Sequence, residues 1–532
     1  MAVIDKSINA LDAATTPAAA DLVPIFQGAT TKKATLTQIQ TVLASGSVTP
    51  RAMATRLAEV ANVKDFGALG DGVTDDRAAL VAAFAYITAN GGELYFPVGN
   101  YTISSGIVVV TGGTKPFVLR GAGIGNTKIT RNTNAAGSVL EVRSTDDWVI
   151  RDMSVIANHS LYAAGDHAVV ALDCNRHHIY RVATSDYKNS GILSYTTVDG
   201  VTAFGDNIIE ECSADGNSTA NLGMLIVNQV RSKFINCTAK NIATGGSPGY
   251  GIQFKNNCRD CVMINPQVHT ARYGVVISND QVGADVNLDN RVIGGFAYNC
   301  AITGLDLAAA HRPTVVGFKV DMNNQGNDAC TFDANTTGAD VAIDTCNVAS
   351  AKGCVKFVSG ATDNVVRVTT ADNPTSGVKN FASIFNSGSL RNNVRLEQFT
   401  TPTTVDSTTA LNSNAGGVTN VFEYGYLPQR QAATIASGVI AVTDNKTRFV
   451  QVDTEAAAAT DDLDTITPGT DLQVITLYTT NNARDVVVKY NTGNIRINGS
   501  IDMTLDNTVD TLTLMYQSVV SKWVEIGRGN NL

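Results

Sequence analysis

Acidic side chains recur in the short polar segments between apolar runs in the middle of the chain. Asp186 follows the run that ends at Val182, and Asp215 follows the run that ends at Cys212. If these runs are neighbouring strands at a spacing of about 4.8 Å, the two carboxyl groups lie about 5–7 Å apart. Glycoside hydrolysis uses paired carboxylates about 5–5.5 Å apart for retention and about 6.5–9.5 Å apart for inversion. The spacing therefore nominates Asp186 and Asp215 as general acid and base, with Glu211 as a reserve partner.

The same polar segments also hold side chains that suit a different reaction. β-Elimination on a uronic-acid polymer needs a base for the proton α to the carboxyl group and a cation to stabilise the enolate. Tyr187 or His269 could be the base. Lys188 or Arg272 could be the cation. We expect these four side chains to contact substrate. Turn residues also serve simply to satisfy backbone amides or to face solvent, so the sequence leaves hydrolase and lyase open.

A register argument groups these candidates. Asp186, Asp215 and His269 each fall three or four residues after the end of an apolar run, as does Asn241. If the runs stack in register, the four side chains line up along one edge of the fold. A side wall with polar groups in a row suits an extended polymer.

Patterns for metals and cofactors are weak. Cys258 and Cys261 form a lone C-x-x-C without a second pair at zinc-finger spacing. A calcium-type run of alternating carboxylates is also absent from the sequence. We therefore expect neither a metal nor a cofactor. The nine cysteines are an odd number, and several end short apolar runs, which predicts small buried thiols rather than disulfides.

The candidate residues lie in a region that repeats itself from residue 148 to about 400. Its apolar runs end at intervals of 23–30 residues. A second strand follows about ten residues after most of them and often opens with glycine, as at Gly191, Gly251 and Gly274. Two strands per repeat without a helical period predict a β-solenoid.

One α-helix is predicted just before the repeats. Residues 80, 83, 84 and 87 are apolar and share one helical face, and Gly91-Gly92 ends the pattern. Asp75 precedes this segment at the position of an N-cap. A helix with one apolar face, placed before a series of strands, is suited to cover the first open coil of a solenoid.

The segment from Val63 to Asp76, continued by Gly91 to Tyr101, resembles the opening motif of the pectate-lyase-like superfamily of right-handed parallel β-helices. It is most similar to the version found in bacteriophage tailspikes and capsule depolymerases. The resemblance implies an all-β fold with a right-handed parallel β-helix over residues 61–420. It also implies a homotrimer that cleaves a bacterial capsule or another surface polysaccharide, with hydrolysis favoured over elimination. A tail adhesin that binds glycan without cutting it is the alternative from a different class.

The two ends of the chain differ from the repeats. Residues 1–60 are rich in Ala and Thr and resemble a virion-attachment segment, which implies a phage tail or baseplate protein as partner. Residues 421–532 contain short alternating strands, which predict an antiparallel β-sandwich for trimer assembly or glycan binding. Trp523 is expected in the core of that sandwich.

Charge and hydropathy limit the partners and the location that can be expected. A net charge of −9 argues against a nucleic-acid partner, which favours a basic face. The sequence shows no signal peptide and no apolar run of membrane-spanning length, so we expect a protein made in a cytoplasm, with no membrane partner. The resemblance to tailspikes implies that this is the host cytoplasm and that the protein is part of the virion.

Overall fold

Regular structure in the described part of the chain is almost entirely β-strand. The computed structural model describes residues 22–27, 30–35, 59–399 and 421–530, except for residues 112, 135–136, 162–166, 198–203, 246–247, 280–286, 324, 326–327, 349–353, 373–382, 386–388, 425–428, 443–446 and 468. The chain divides into two compact units, residues 1–423 and 424–532. Each unit is described by itself below.

The first unit is a parallel β-helix of about 13 coils, which confirms the predicted fold. Three sheets run along it, and we name them A, B and C in the order in which each coil visits them. Sheet A contains Val60–Asn62, Gly92–Phe96, Phe117–Gly121, Ile208–Glu210, Lys233–Ile235, Val262–Ile264, Arg291–Ile293 and the first parts of Trp148–Ile156, His178–Ser185, Thr314–Asp321, Asp340–Asn347, Val365–Asp372 and Asn393–Phe399. Sheet B contains Asp71–Asp75, Gly99–Ile103, Thr127–Arg131, Ser213–Ala220, Thr238–Ile242, the second parts of the six long strands just named, and the first parts of Gln267–Ser278 and Phe296–Ala308. Sheet C contains Ile107–Thr111, Leu140–Arg143, His167–Leu172, Ser190–Tyr195, Leu222–Val227, Tyr250–Lys255, the second parts of Gln267–Ser278 and Phe296–Ala308, and Cys330–Phe332, Val355–Phe357 and Ser383–Phe385.

A typical coil has three strands, not the two that the sequence predicted. The chain passes from sheet A to sheet B through a single residue with a left-handed backbone. In five successive coils this residue has φ between 49° and 60°: Asp152, Arg181, Glu211, Asn236 and Asn265. Such a corner separates the two strands by two residues at most, so the sequence pattern resembles one continuous strand.

Apolar side chains of equivalent positions stack from coil to coil inside the helix. The ladder of sheet A is buried and in register: Leu94, Leu119, Ile150, Ile179, Ile209, Phe234, Met263, Val292, Val315 and Val341. Because each residue packs on its own counterpart, every coil buries apolar surface against the next one. All nine cysteines are free and buried, as expected.

Buried asparagines connect neighbouring coils at the corner between sheets C and A. Asn364 is fully buried, its Oδ1 accepts from the Ala339 amide at 2.9 Å, and its Nδ2 donates to the Thr336 carbonyl at 3.1 Å. Asn207, Asn290 and Asn392 make equivalent pairs of bonds. The asparagine side chains thus accept from backbone amides at the corner and add a bond to carbonyls of a preceding coil.

The predicted helix is present as Arg77–Asn90, after a 3-10 turn at Val63–Phe66. Its buried residues are Leu80, Ala83, Phe84 and Ile87, the face that the sequence indicated. The helix contacts strands Val60–Asn62 and Gly92–Phe96 of sheet A and strand Ile107–Thr111 of sheet C. It therefore takes the place of sheet C in the first coil.

The predicted N-cap of this helix was wrong by one residue. Asp76 occupies the N-cap position, but its carboxylate accepts from the amides of Leu69 at 2.6 Å and Gly70 at 3.0 Å. Asp75 accepts from the amides of Arg77 and Ser104, each at 3.1 Å. Two consecutive aspartates fit the same local pattern, and long-range backbone partners decide between them.

The second unit has mixed sheets, whereas the sequence predicted antiparallel pairing throughout. Its strands are Gln429–Thr434, Val439–Ala441, Thr447–Asp453, Thr460–Leu463, Thr465–Thr467, Val474–Thr479, Asp485–Val488, Ile495–Arg496, Met503–Leu505, Thr511–Gln517 and Lys522–Gly529, with 3-10 turns at Glu455–Ala457 and Asn498–Ser500. Thr447–Asp453 pairs in parallel with both of its neighbours, and the antiparallel strand pairs of the described unit join Val474–Thr479 to Thr511–Gln517, Asp485–Val488 to Met503–Leu505, and Thr511–Gln517 to Lys522–Gly529. Alternation of apolar and polar residues shows that one face of a strand is buried. Parallel and antiparallel strands can both have this pattern. Trp523 is fully buried as expected, and its Nε1 donates to the Ile466 carbonyl at 3.0 Å.

Of residues 1–58, the structure describes one antiparallel pair, Leu22–Gln27 with Thr30–Thr35. The attachment role of residues 1–60 stays a prediction. Within the described residues, no helix is long and apolar enough to cross a membrane.

Candidate functional site

The structure places Asp186 and Asp215 on neighbouring coils, close to the corner between sheets B and C. The Asp186 amide donates to the Asp215 carbonyl at 3.0 Å. Asn217 links the two carboxylates, because its amide donates to Asp215 at 3.2 Å and its Nδ2 donates to Asp186 at 3.4 Å. The two carboxyl groups of the predicted pair are thus near each other.

Both carboxylates are also engaged by other groups. Asp186 accepts from the Ser160 amide at 2.9 Å and from the Ser160 hydroxyl. Asp215 accepts from Asn241 Nδ2 at 3.0 Å and lies 3.2 Å from Lys240 Nζ. Partial burial opposes ionisation of Asp215, but the bonds from Asn241 and Asn217 and the charge of Lys240 outweigh it, so its pKa is lowered. An ionised, fully bonded carboxylate is a poor proton donor, so this geometry favours a role in tying coils together.

Glu211 and Tyr187 do not join this pair. Glu211 is exposed at the left-handed corner between sheets A and B, whereas Asp186 lies at the corner between sheets B and C. Tyr187 is fully buried, and burial raises the pKa of its hydroxyl well above the usual value. This burial conflicts with the expected contact between Tyr187 and substrate, and it follows the left-handed backbone of Asp186, whose φ is 53°. Lys188, one residue further, is partly exposed.

The predicted single edge is two adjacent columns. Asp215, Lys240 and His269 are partners in register on the outer face of sheet B. Asp186 and Asn241 lie one position later, in the left-handed corner. Arg272 lies outside both columns, with its guanidinium 5.6 Å from the centre of the Tyr273 ring.

Sequence reasoning missed a carboxyl group on the outer face of sheet C. Asp306 follows Leu305 and precedes Leu307, which both point into the core, so its side chain points outward. It is nevertheless only 5% exposed, and its Oδ1 has no hydrogen-bond partner among the described residues. Burial, with a smaller contribution from the charge of Asp333, raises the pKa of Asp306 to about 8. Asp306 therefore keeps its proton at neutral pH.

A second carboxyl group and two polar side chains share the surroundings of Asp306. Burial raises the pKa of Asp333, and the charge of Lys356 partly opposes this. Lys356 follows Asp306 two coils later in the same outward column, with Thr331 between them, and pairs with Asp328 at 3.3 Å. Burial and then the charge of Asp306 raise the pKa of Tyr273. We name Tyr273, Asp306, Asp333 and Lys356 the sheet C cluster.

The sheet C cluster can perform acid–base chemistry. A general acid must carry a proton, and a poorly solvated site keeps a carboxyl group protonated. A second carboxyl group nearby can act as base or nucleophile. Within the described residues, no group of three or more His, Cys, Asp or Glu is placed to hold a metal ion. The signal in the sequence was a charged residue between two leucines in a strand, which a search confined to the turns passes over.

Comparison with known proteins shows which families part of the β-helix resembles. Residues 60–306 match a family model described as "Rhamnogalacturonase A/epimerase, pectate lyase-like". The fold of this β-helix fits that of a pectate-lyase-like protein. The mannuronan C5-epimerase AlgE4 of Azotobacter vinelandii is 48% identical over 75 residues, which are 13% of this chain and 13% of that protein. The probable rhamnogalacturonase B of Neosartorya fischeri is 35% identical over 106 residues, 20% of this chain and 19% of that protein.

A solved structure resembles the fold of this chain over a longer stretch. The Dettilon tailspike protein superposes with a TM-score of 0.50 at 12% identity, covering 72% of this chain and 71% of that one. At this identity the likeness concerns the fold. The chain spans 13% and 19% of the length of the two curated relatives named above.

Proposed function

We propose that this chain cleaves a polysaccharide by glycoside hydrolysis, with Asp306 of the sheet C cluster as general acid. The observation that supports this most is the buried Asp306 carboxyl, whose Oδ1 has no partner among the described residues and whose pKa is raised to about 8. Asp333 supplies the second carboxyl group that the reaction needs. The long wall of a β-helix suits an extended polymer, and the relatives named above are a polysaccharide epimerase and a probable rhamnogalacturonase.

β-Elimination is the second candidate reaction. Arg272 lies beside Tyr273, and Lys356 belongs to the same cluster, so cations are present that could stabilise an enolate. The raised pKa of Tyr273 keeps its hydroxyl protonated, which suits a proton donor better than the base that elimination requires. We therefore place hydrolysis first.

The products of digestion test the proposal. The chain is incubated with polymannuronate, with rhamnogalacturonan and with a panel of bacterial capsular polysaccharides. New reducing ends without ultraviolet absorbance indicate hydrolysis. A new absorbance from an unsaturated uronate indicates elimination, and an altered uronate configuration without chain cleavage indicates epimerisation. Binding with no change in the polymer identifies an adhesin and contradicts an enzymatic role.

Site variants then locate the reaction. Asp306→Asn and Asp333→Asn should each lower turnover by about 10² or more, the usual scale for losing a general acid or base. Asp186→Asn and Asp215→Asn serve as matched carboxylate variants on sheet B. If only the sheet B variants lose activity, the reaction takes place at the pair that the sequence nominated.

The biological setting follows the tailspike resemblance. We propose that the chain is a virion protein that forms a homotrimer, binds a bacterial surface polysaccharide and attaches to the phage tail through residues 1–60. Attachment is tested by deleting those residues and measuring incorporation into phage particles.

A further inference from the structure

Two aromatic side chains interrupt a polar surface on the outer face of sheet B. His269, Tyr298 and Asp321 are successive partners in one outward column. The neighbouring column contains Phe296 and Lys319. In the preceding coils the same two columns carry polar side chains: Ser185, Asp215, Lys240, Ser213, Thr238 and Gln267. The aromatic pair, Phe296 and Tyr298, is therefore a local feature of this sheet.

The rings are fixed in position and accessible. The His269 ring meets the Phe296 ring edge-on at 4.8 Å and 85°, and its centre lies 6.2 Å from that of Tyr298. Tyr298 is 37% exposed. A depression of about 450 Å³ lies over these residues and extends to Lys319, Asp321 and Thr345. It is not part of the sheet C cluster, because none of its lining residues belongs to that sheet.

Polar groups surround the rings. Lys319 is exposed, and no ion-pair partner for its ammonium is found in the described part of the chain. Asp321 Oδ1 accepts from the Asn323 amide at 2.8 Å and from Asn347 Nδ2 at 3.1 Å. The second carboxylate oxygen, Oδ2, can therefore accept from a ligand. Lys319 can thus donate and Asp321 can accept a hydrogen bond on the side of the rings that faces the next coils.

We propose that Phe296, Tyr298, Lys319 and Asp321 form a subsite for one pyranose unit of a glycan. A pyranose has an apolar face of C–H groups that packs on an aromatic ring, and a rim of oxygens that pairs with a donor and an acceptor. The subsite rests on the proposed function for the nature of its ligand. It adds that the glycan is held on sheet B as well as at the acid on sheet C.

Binding measurements with single variants test the subsite. The probes are polymannuronate, rhamnogalacturonan and any capsular polysaccharide that the wild-type chain binds. Tyr298→Ala should weaken polymer affinity about tenfold, since an aromatic contact of this kind is worth on the order of 1.4 kcal/mol. Lys319→Ala, at an exposed position, should also weaken it and leave the melting temperature unchanged. Tyr180→Ala, on the outer face of sheet A, is the matched aromatic control.

The outcomes separate this inference from the proposed function. If Tyr298→Ala and Lys319→Ala bind like the wild type while Asp306→Asn abolishes cleavage, the subsite is wrong and the function stands. If the variants weaken binding but Asp306→Asn still cleaves, the subsite stands and the acid is elsewhere. If the wild-type chain binds none of the glycans, both are overturned.

Discussion

At the residue scale, the chain treats its carboxyl groups in two opposite ways. Asp215 accepts hydrogen bonds from Asn217 and Asn241 and pairs with Lys240, and its pKa is lowered. Asp306 lies in a buried position where Oδ1 has no partner among the described residues, and its pKa is raised to about 8. The residue type is the same, so the environment alone separates a structural carboxylate from a candidate acid.

The pH dependence of the rate should report Asp306. A general acid must be protonated, and burial, followed by the charge of Asp333, raises the pKa of Asp306 to about 8. We therefore expect kcat/KM for polymer cleavage to fall above about pH 8. The measurement is a pH–rate profile, with Asp215→Asn as the control that keeps the same alkaline limb. An alkaline limb more than about two pH units below this value contradicts the assignment.

The stability of the fold should also respond to Asp306. An aspartate in an unfolded chain titrates near pH 4, whereas its pKa in the folded chain is about 8. Between these values the folded state holds a proton that the unfolded state has released, so the free energy of unfolding decreases as pH rises from about 4 to about 8. Asp306→Asn removes this term. Its stability relative to the wild type should therefore increase over that range, as measured by urea denaturation at both ends. A difference that stays constant with pH contradicts the prediction.

At the scale of elements, much of the fold follows from local pattern. The helix Arg77–Asn90 could be predicted because its apolar residues share one face and glycines end it. The corners between sheets A and B could not, since one left-handed residue such as Arg181 leaves no glycine or proline signal. Asp306 was missed for a related reason, because it occupies an outward position of its strand and its low exposure is not visible in the local pattern. The local sequence pattern does not reveal contacts between coils.

The asparagine corner between sheets C and A offers a test of these contacts. Asn364→Ala removes the acceptor of the buried Ala339 amide, whereas the Thr336 carbonyl keeps the bond from the Thr362 amide. An unsatisfied buried group costs about 1–3 kcal/mol, so the melting temperature should fall by several degrees. Asn126→Ala, on an exposed side chain whose backbone is not left-handed, is the control and should change it little. Equal melting temperatures for the two variants would show that the corner does not need the amide.

At the scale of the whole molecule, an exposed apolar column on sheet A bears on assembly. Ile235, Ile264, Ile293 and Val316 are successive partners on its outer face, and the last two are 44% and 50% exposed. Solvent-exposed apolar columns of this length suit burial against another chain. We expect this column to lie in the interface of the proposed homotrimer.

A charge placed in this column should dissociate the assembly. Ile293→Glu should shift the mass measured by light scattering from three times 55.9 kDa to 55.9 kDa at micromolar concentration. Thr314→Glu, on the outer face of the same sheet but in the other column, tests whether any charge on sheet A has this effect. A wild-type mass of one chain contradicts the trimer, and an unchanged mass for Ile293→Glu places the interface elsewhere.

The coil-to-coil stacking of the core also bears on how this chain can evolve. Each coil packs the same inward positions against the coils before and after it, so duplication or loss of one entire coil preserves every stack. A single inserted residue within a strand instead moves the following side chains to the opposite face. Recombination in units of one coil is therefore tolerated where point insertions are not. Such recombination would change the length of the wall while leaving the acid on sheet C and the aromatic pair on sheet B intact.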